Sequence, residues 1–398
     1  MSKHRSCSLA LTICVACTAD DGIVTGTSIT FTPTAGEAGE SGDETAQSGT
    51  DADSSADASD GSSSVADTSG GASSSSSSAS ASSDPSDDDS SDGGGLPEGV
   101  IATGELYPGD LVRLGDEIFW ANVMDGDCIR RASLDGGDAA DVACEPSTST
   151  LPLQVIVYGD ALAYSFMSTS GGGPSFGFGG VRLVDPAGGA PVTIDEGSRF
   201  ESSSSFPYCN DTLAASGTQL FWYAHELSEH ASSIVHYDGN AVAAFDADSP
   251  FPYGVLATPT TIYWSATEAY YAKPLGALGG APTPIGTTRG SSCGRTSSGE
   301  TLWVSSRGTF ATGPALFRFE NGLFSNVRDL DEMVYDVAVD ATHVYLVYES
   351  RIDRLAIADV GGAAETIVDG PTIGGILIDE GRLYWSDWYG GEVRYETL

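Results

Sequence analysis

The sequence is short of basic residues: 17 Lys and Arg stand against 56 Asp and Glu, a formal charge of -39 over 398 residues. Residues 18–95 hold 16 acidic residues and no basic one, which leaves 40 acidic against 15 basic in residues 96–398. A surface of that sign repels phosphate backbones, so nucleic acid is excluded as a partner. Histidine is scarce as well, at five. In His225-Glu226-Leu227-Ser228-Glu229-His230 the two histidines are five apart, whereas a zinc-protease helix needs them four apart to share one face. That segment reads as a polar hairpin loop. Gly173-Pro174-Ser175-Phe176-Gly177 matches the nucleophile-elbow pattern but lacks the strand before it and the helix after it that the motif requires, so it reads as a loop too. No catalytic residue, metal ligand or cofactor is therefore assigned. Amphipathic helical repeats are missing, which excludes helical solenoids.

What is present begins with an address. Lys3, His4 and Arg5 precede an apolar run from Leu9 to Ala16, too short to span a bilayer and of the length of a secretory signal core. Val15-Ala16-Cys17 resembles the bacterial lipobox, although Cys14 replaces the usual Leu. The resemblance implies a signal peptide over 1–16 and acylation at Cys17. Residues 17–95 are built from Ser, Asp, Ala, Gly and Thr, with too few apolar groups to offset chain ordering, and are expected to be a disordered acidic linker. The remainder, 96–398, can build a core.

That remainder repeats. The quartets Glu117-Ile118-Phe119-Trp120, Ala161-Leu162-Ala163-Tyr164, Gln219-Leu220-Phe221-Trp222, Thr261-Ile262-Tyr263-Trp264, Glu300-Thr301-Leu302-Trp303 and His343-Val344-Tyr345-Leu346 recur, and Arg382-Leu383-Tyr384-Trp385 closes the series. Their last residues are 39 to 58 apart, and strand signals surround each. A period near 40 with hairpins and no helices predicts an all-β propeller of four-stranded antiparallel blades, with seven blades favoured and six as the alternative. The chain ends only three strands into its last unit, while Val100 to Thr103 is an unassigned strand at the start. Pairing the two would close the ring.

Tyr384-Trp385-Ser386-Asp387-Trp388 followed by Gly391-Glu392-Val393-Arg394, together with Tyr263-Trp264-Ser265, resemble the YWTD repeats of the low-density-lipoprotein-receptor propellers. The resemblance spans residues from about 100 to 398 as a pattern and is strong in the last unit. It implies a six-bladed ring, against the seven anchors counted here.

Four cysteines remain after Cys17: Cys128, Cys144, Cys209 and Cys293. In an exported protein an even number points to two disulfides. With a turn centred on Gly136, Cys128 and Cys144 fall opposite each other on adjacent strands, which leaves Cys209 and Cys293 as the second pair.

For function, the leading expectation is an exported, lipid-anchored, monomeric propeller. It binds a protein or glycan outside the cytoplasm and touches the membrane only through its N-terminal lipid. Two long insertions carry the candidate binding residues, Phe176 and Phe178 in 168–179, and Phe200, Phe206 and Tyr208 in 196–209, because long loops on a rigid scaffold are where binding resides. The alternative is an extracytoplasmic hydrolase or isomerase working at the central channel. Convergent carboxylates or histidines in the channel would favour the enzyme, and a bland channel the binder.

Overall fold

The computed structural model describes residues 96–398 except 124–126, 148–149, 169–176, 201–211, 226–231, 247–251, 267–268, 278, 289–291, 309–311 and 371–372. All described residues fall in the second of the two units into which the chain divides, 87–398. They form seven four-stranded antiparallel sheets. The first blade is β2 (Pro108–Leu114), β3 (Glu117–Asn122), β4 (Cys128–Ser133) and β5 (Ala140–Cys144). The second is β6 (Thr150–Tyr158), β7 (Ala161–Ser168), β8 (Gly177–Val184) and β9 (Val192–Phe200). Blade 3 holds β10 (Leu213–Ser216), β11 (Gln219–His225), β12 (Ser232–Tyr237) and β13 (Val242–Asp246). Blade 4 holds β14 (Pro252–Ala257), β15 (Thr261–Ala266), β16 (Ala269–Pro274) and β17 (Thr283–Thr287). Blade 5 runs through β18 (Ser292–Ser298), β19 (Thr301–Ser306), β20 (Ala315–Glu320) and β21 (Leu323–Asp329). Blade 6 runs through β22 (Asp336–Val339), β23 (His343–Val347), β24 (Arg351–Ala356) and β25 (Glu365–Asp369). The last comprises β26 (Ile373–Asp379), β27 (Arg382–Asp387) and β28 (Glu392–Thr397), and its fourth strand is β1 (Val100–Thr103).

The expected closure is thus present. β1 pairs antiparallel with β28, Thr103 opposite Glu392, and Ile101 is fully buried among Leu111, Trp120, Tyr384 and Val393. The first and last blades share one core, and neither exposes a strand edge there.

Blades pack through the second strands. Successive side chains of a strand point to opposite faces, so the two last residues of each quartet serve two different interfaces. Trp120 joins the cluster shared with the last blade, and Phe119 the cluster shared with the second. Likewise Trp264 packs with Trp222 of the blade before it, and Tyr263 with Leu302 and Phe317 of the blade after it.

The fifth repeat corrects the sequence reading. Val304, not Trp303, packs toward the preceding blade beside Tyr263, while Trp303 packs with Val337 and Leu346 of the following one. The anchor of this unit is one residue later than the aromatic suggests. Ser305 confirms the register, since its Oγ accepts the Gly294 amide at 2.9 Å just as Ser386 Oγ accepts the Gly375 amide at 2.9 Å.

The few basic residues are committed to ties within this frame. Arg130 faces Glu105 and Asp141, Arg182 pairs with Glu145, Lys273 with Asp246, Arg351 with Glu332 and Asp353, and Arg354 with Glu365. Glu105 also accepts from Trp120 Nε1 and Asn122 Nδ2, both at 3.0 Å, and Glu145 accepts from the Tyr164 hydroxyl at 3.0 Å. Burial, with the Glu145 carboxylate, drives the Tyr164 pKa well above its ordinary value. An acid in the connection between two blades therefore holds the polar tip of the next blade's anchor.

Candidate functional site

The inner strands β2, β6, β10, β14, β18, β22 and β26 line the central channel. The residue opposite each anchor is Leu111, Val155, Leu213, Val255, Arg295, Val337 and Ile376 in turn. Six are aliphatic and buried, as a layer between packed sheets demands. The seventh is an arginine, 6% exposed. Two neighbours make room for it. The anchor opposite is Val304 where other blades place Trp, Tyr or Leu, and the adjoining strand has Gly254, whose missing Cβ would lie 2.4 Å from Arg295 Nη1. Gly254 has φ +73°, a conformation that an L side chain would strain.

One residue earlier in each unit stand Asp110, Gln154, Thr212, Gly254, Gly294, Asp336 and Gly375, Thr212 just ahead of its strand. Register shifts interrupt the first strand pair of five blades at this level, between Pro108 and Leu111, Pro152 and Gln154, Tyr253 and Val255, Ser292 and Arg295, and Ile373 and Ile376. Such bulges re-aim side chains at the end of a strand. Several of these polar groups bridge to the next blade. Gln154 Oε1 accepts from the Leu213 amide at 2.8 Å and the Thr212 hydroxyl at 3.1 Å. Asp336 accepts from its neighbour Val337 at 2.7 Å and from the Ile376 amide of the last blade at 3.3 Å. Asp110 leans the other way over the same blade, its Oδ1 2.9 Å from where a Cβ on Gly375 would be. Two carboxylates thus flank the Gly374-Gly375 stretch.

Among the described residues, two cavities lie along the inner strands. One, of about 250 Å³, is lined by Asp110, Gln154, Arg295 and Asp336 among its polar residues and by Leu111, Val337 and Ile376 among its apolar ones. The other, of about 300 Å³, lies toward β10 and β14. Gln154 and Arg295 line both.

The same end of the ring carries the connections into each inner strand and those between second and third strands. There Tyr107, Trp388 and Tyr389 form a cluster, with Tyr107 tilted against Trp388 at a centroid distance of 5.4 Å and edge-on to Tyr389 at 6.1 Å. Trp388 is buried and Tyr389 is 70% exposed. Asp387, beneath this turn, is buried and accepts the Gly390 amide at 2.7 Å; burial raises its pKa above the ordinary 3.8 despite that bond.

Of the residues singled out in the sequence, Cys17, Cys209, Phe176, Phe206 and Tyr208 lie outside the described residues, as does 226–230 of the histidine segment. Cys293 is on β18. Cys128 and Cys144 stand opposite each other and are joined by a disulfide. Among the described residues the one cluster with metal-ligand spacing is Cys128, Asp141 and Cys144, and its sulfurs are consumed by that bond. Phe178 and Phe200 prove to be strand rather than loop residues. The second blade's hairpins are longer than the sequence suggested, pairing Phe178 with Ser168 and Arg199, and Gly177 with Phe200. Gly180 permits this, since a Cβ there would meet the Asp195 carbonyl at 1.9 Å.

No family model matches the chain, and no curated protein matches it. Solved structures do. A chain of the mitotic checkpoint complex matches at TM-score 0.56 and 12% identity, over 76% of this chain and 94% of that one. Virginiamycin B lyase from Staphylococcus aureus matches at TM-score 0.53 and 11% identity, over 75% of this chain and 97% of that one. The extracellular domain of a putative one-component system from B. thetaiotaomicron matches at 0.51 and 10%, over 76% of this chain and 40% of that one. The likeness is one of fold.

Proposed function

We propose that the protein is an exported, lipid-anchored propeller at the cell envelope that binds its ligand at the channel end of the ring without transforming it. Arg295 carries the binding half of this reading. A guanidinium buried at the one of seven equivalent positions where the others are aliphatic departs from the packing rule, and such departures mark functional positions. The surrounding acceptors are engaged with backbone amides between blades, as Gln154 and Asp336 show, which suits a rigid receptor. The address rests on the basic start, the short apolar run and Val15-Ala16-Cys17.

A second reading is an enzyme of hydrolase or isomerase type, favoured by the two carboxylates Asp110 and Asp336 in the first cavity. Recovery mass spectrometry separates the two. The full chain is incubated with a small-molecule extract of the cell envelope, washed, denatured, and the released compounds compared with the extract. A binder returns a compound of unchanged mass. Accumulation of a new mass in the incubation, abolished by Asp110→Asn, would establish the enzyme instead.

A further inference from the structure

We infer that Cys128, Cys144 and Asp141, on the outer pair of strands of the first blade, form a thiolate site for a zinc-class divalent cation when their disulfide is reduced. Disulfide and bound metal are then alternative states of one position. The inference is independent of what the channel binds.

Strand register brings the ligands together. Cys128 of β4 stands opposite Cys144 of β5, and opposed residues of an antiparallel pair point to the same face. Asp141 is three residues before Cys144, an odd spacing that in a regular strand sends the two side chains to opposite faces. The register shift between Ile129 and Arg130 inserts Val142 as an extra residue on β5, and this bulge returns Asp141 to the face of Cys144. The donor atoms of Cys128, Asp141 and Cys144 all lie within 4.8 Å of one another. Cys144 and Asp141 are exposed and Cys128 is half-buried, so a cation reaches them from solvent. Asn122 follows the pairing of Ala121 with Ile129, which sets it beside Cys128 on the same face. Its Nδ2 donates to Glu105, whereas its Oδ1 is buried and accepts no hydrogen bond among the described residues.

Reduction by an external dithiol supplies the two electrons. The Cys128–Cys144 bond breaks, the dithiol becomes a disulfide, and its two protons pass to the freed sulfurs. A divalent cation displaces those protons and takes two thiolates and a carboxylate oxygen. Tetrahedral Zn–S bonds of about 2.3 Å set the sulfurs about 3.8 Å apart, which cysteines on directly opposed residues reach once the bond is open. Sulfur with oxygen donors selects zinc over calcium or magnesium, which take oxygen alone. Asp141 is paired with Arg130 Nε at 3.0 Å in the disulfide form. When its carboxylate turns to the metal, Arg130 keeps Glu105 at 3.6 Å and the Ala139 carbonyl at 3.1 Å.

The test is titration of the full chain with cobalt(II), as purified with the disulfide intact and again after reduction and anaerobic removal of the reductant. The reduced chain is expected to take up cobalt with thiolate-to-metal charge-transfer absorption and a tetrahedral ligand-field spectrum, and zinc should displace it. The paired change Cys128→Ser with Cys144→Ser should lose one equivalent relative to reduced wild type, which separates this site from the other cysteines of the chain. Asp141→Asn, which leaves both cysteines in place, should weaken that equivalent by roughly 10-fold or more, since even groups that only support a metal ligand cost that much when removed. If the paired variant melts far below the wild type, Asp141→Asn decides alone. Equal cobalt uptake by the oxidised and reduced chains would overturn the inference. So would full uptake by the reduced paired variant, or unchanged affinity in reduced Asp141→Asn.

Discussion

Replacing Ile101 by alanine in the full chain tests how the ring is held shut. Ile101 is fully buried on β1, and its neighbours come from both ends of the propeller: Leu111, Ile118 and Trp120 from the first blade, Tyr384 and Val393 from the last. The strand is also fastened by its backbone. Tyr395 donates to the Gly99 carbonyl at 2.8 Å, and Gly137, in the turn of the first blade, donates to the Ile101 carbonyl at 3.3 Å. Removing three buried carbons from an isoleucine costs roughly 2–5 kcal/mol, the upper end where the site cannot collapse. Here the walls are strands fixed by their own ladders, so about 3–4 kcal/mol is expected. In a domain of about 300 residues that lowers Tm by roughly 5–6 °C. Thr103→Ala, on the same strand but exposed, serves as the control and should shift Tm by no more than a degree or so. Differential scanning calorimetry reads both. A fragment beginning at Leu106 carries the perturbation further, since it also loses Glu105 and leaves Trp120 and Asn122 without their acceptor. It should melt well below a fragment beginning at Leu96. Equal melting temperatures for Ile101→Ala and the wild type, or for the two fragments, would refute the closure argument.

Other outcomes follow from the same reasoning. Cys17→Ser is expected to move the protein from the membrane fraction to the soluble or secreted fraction, because acyl chains and not a spanning helix would hold it; retention on membranes would count against the anchor. The paired change Cys128→Ser with Cys144→Ser should destabilise by about 3 kcal/mol in the chain-entropy model, and non-reducing peptide mapping should recover Cys128 linked to Cys144 in wild-type protein. Two carboxylates should show opposite pH dependence. Asp387 has a pKa raised by burial, so its charge weakens the fold as pH rises through the shifted value; Asp387→Asn should raise Tm at neutral pH and lose that gain below the ordinary 3.8. Burial pushes the Asp340 pKa up, but hydrogen bonds from the Thr342 and His343 amides and the Tyr345 hydroxyl outweigh it and the net shift is downward. Its contribution is present above 3.8 and fades on acidification, so Asp340→Asn should lower Tm at neutral pH and matter little in acid. Scans of Tm against pH that rise together for both variants would contradict these assignments.

Much of the architecture could be read from the sequence, because a propeller advertises itself by period. The aromatic quartets, the Gly-rich turns and the orphan strand Val100–Thr103 each encode a local choice that agrees with the global ring. Antiparallel arithmetic around Gly136 was sufficient to place Cys128 opposite Cys144, although a register shift after Ile129 intervenes. The candidate site was hidden by one residue. Taking Trp303 as the anchor of its unit sets Thr296 opposite it, an unremarkable pairing, and hides that Arg295 occupies the aliphatic layer opposite Val304. Only the packing partners of Trp303 and Val304 expose the slip. Nor does the sequence distinguish a loop from a lengthened hairpin where glycine is dense, which is why Phe178 and Phe200 were expected in loops. The acid partners of the anchors, Glu105 and Glu145, lie in connections whose geometry no periodicity specifies.

Hydrogen exchange of the full chain with and without the small molecule recovered from envelope extract tests most directly whether the channel end binds. Slowed exchange is expected in the inner strands β2, β6, β18, β22 and β26 that line the first cavity, with the outer strands β5, β9 and β21 unchanged. Slowed exchange confined to the outer strands, or none in the inner strands at a saturating ligand concentration, would contradict it.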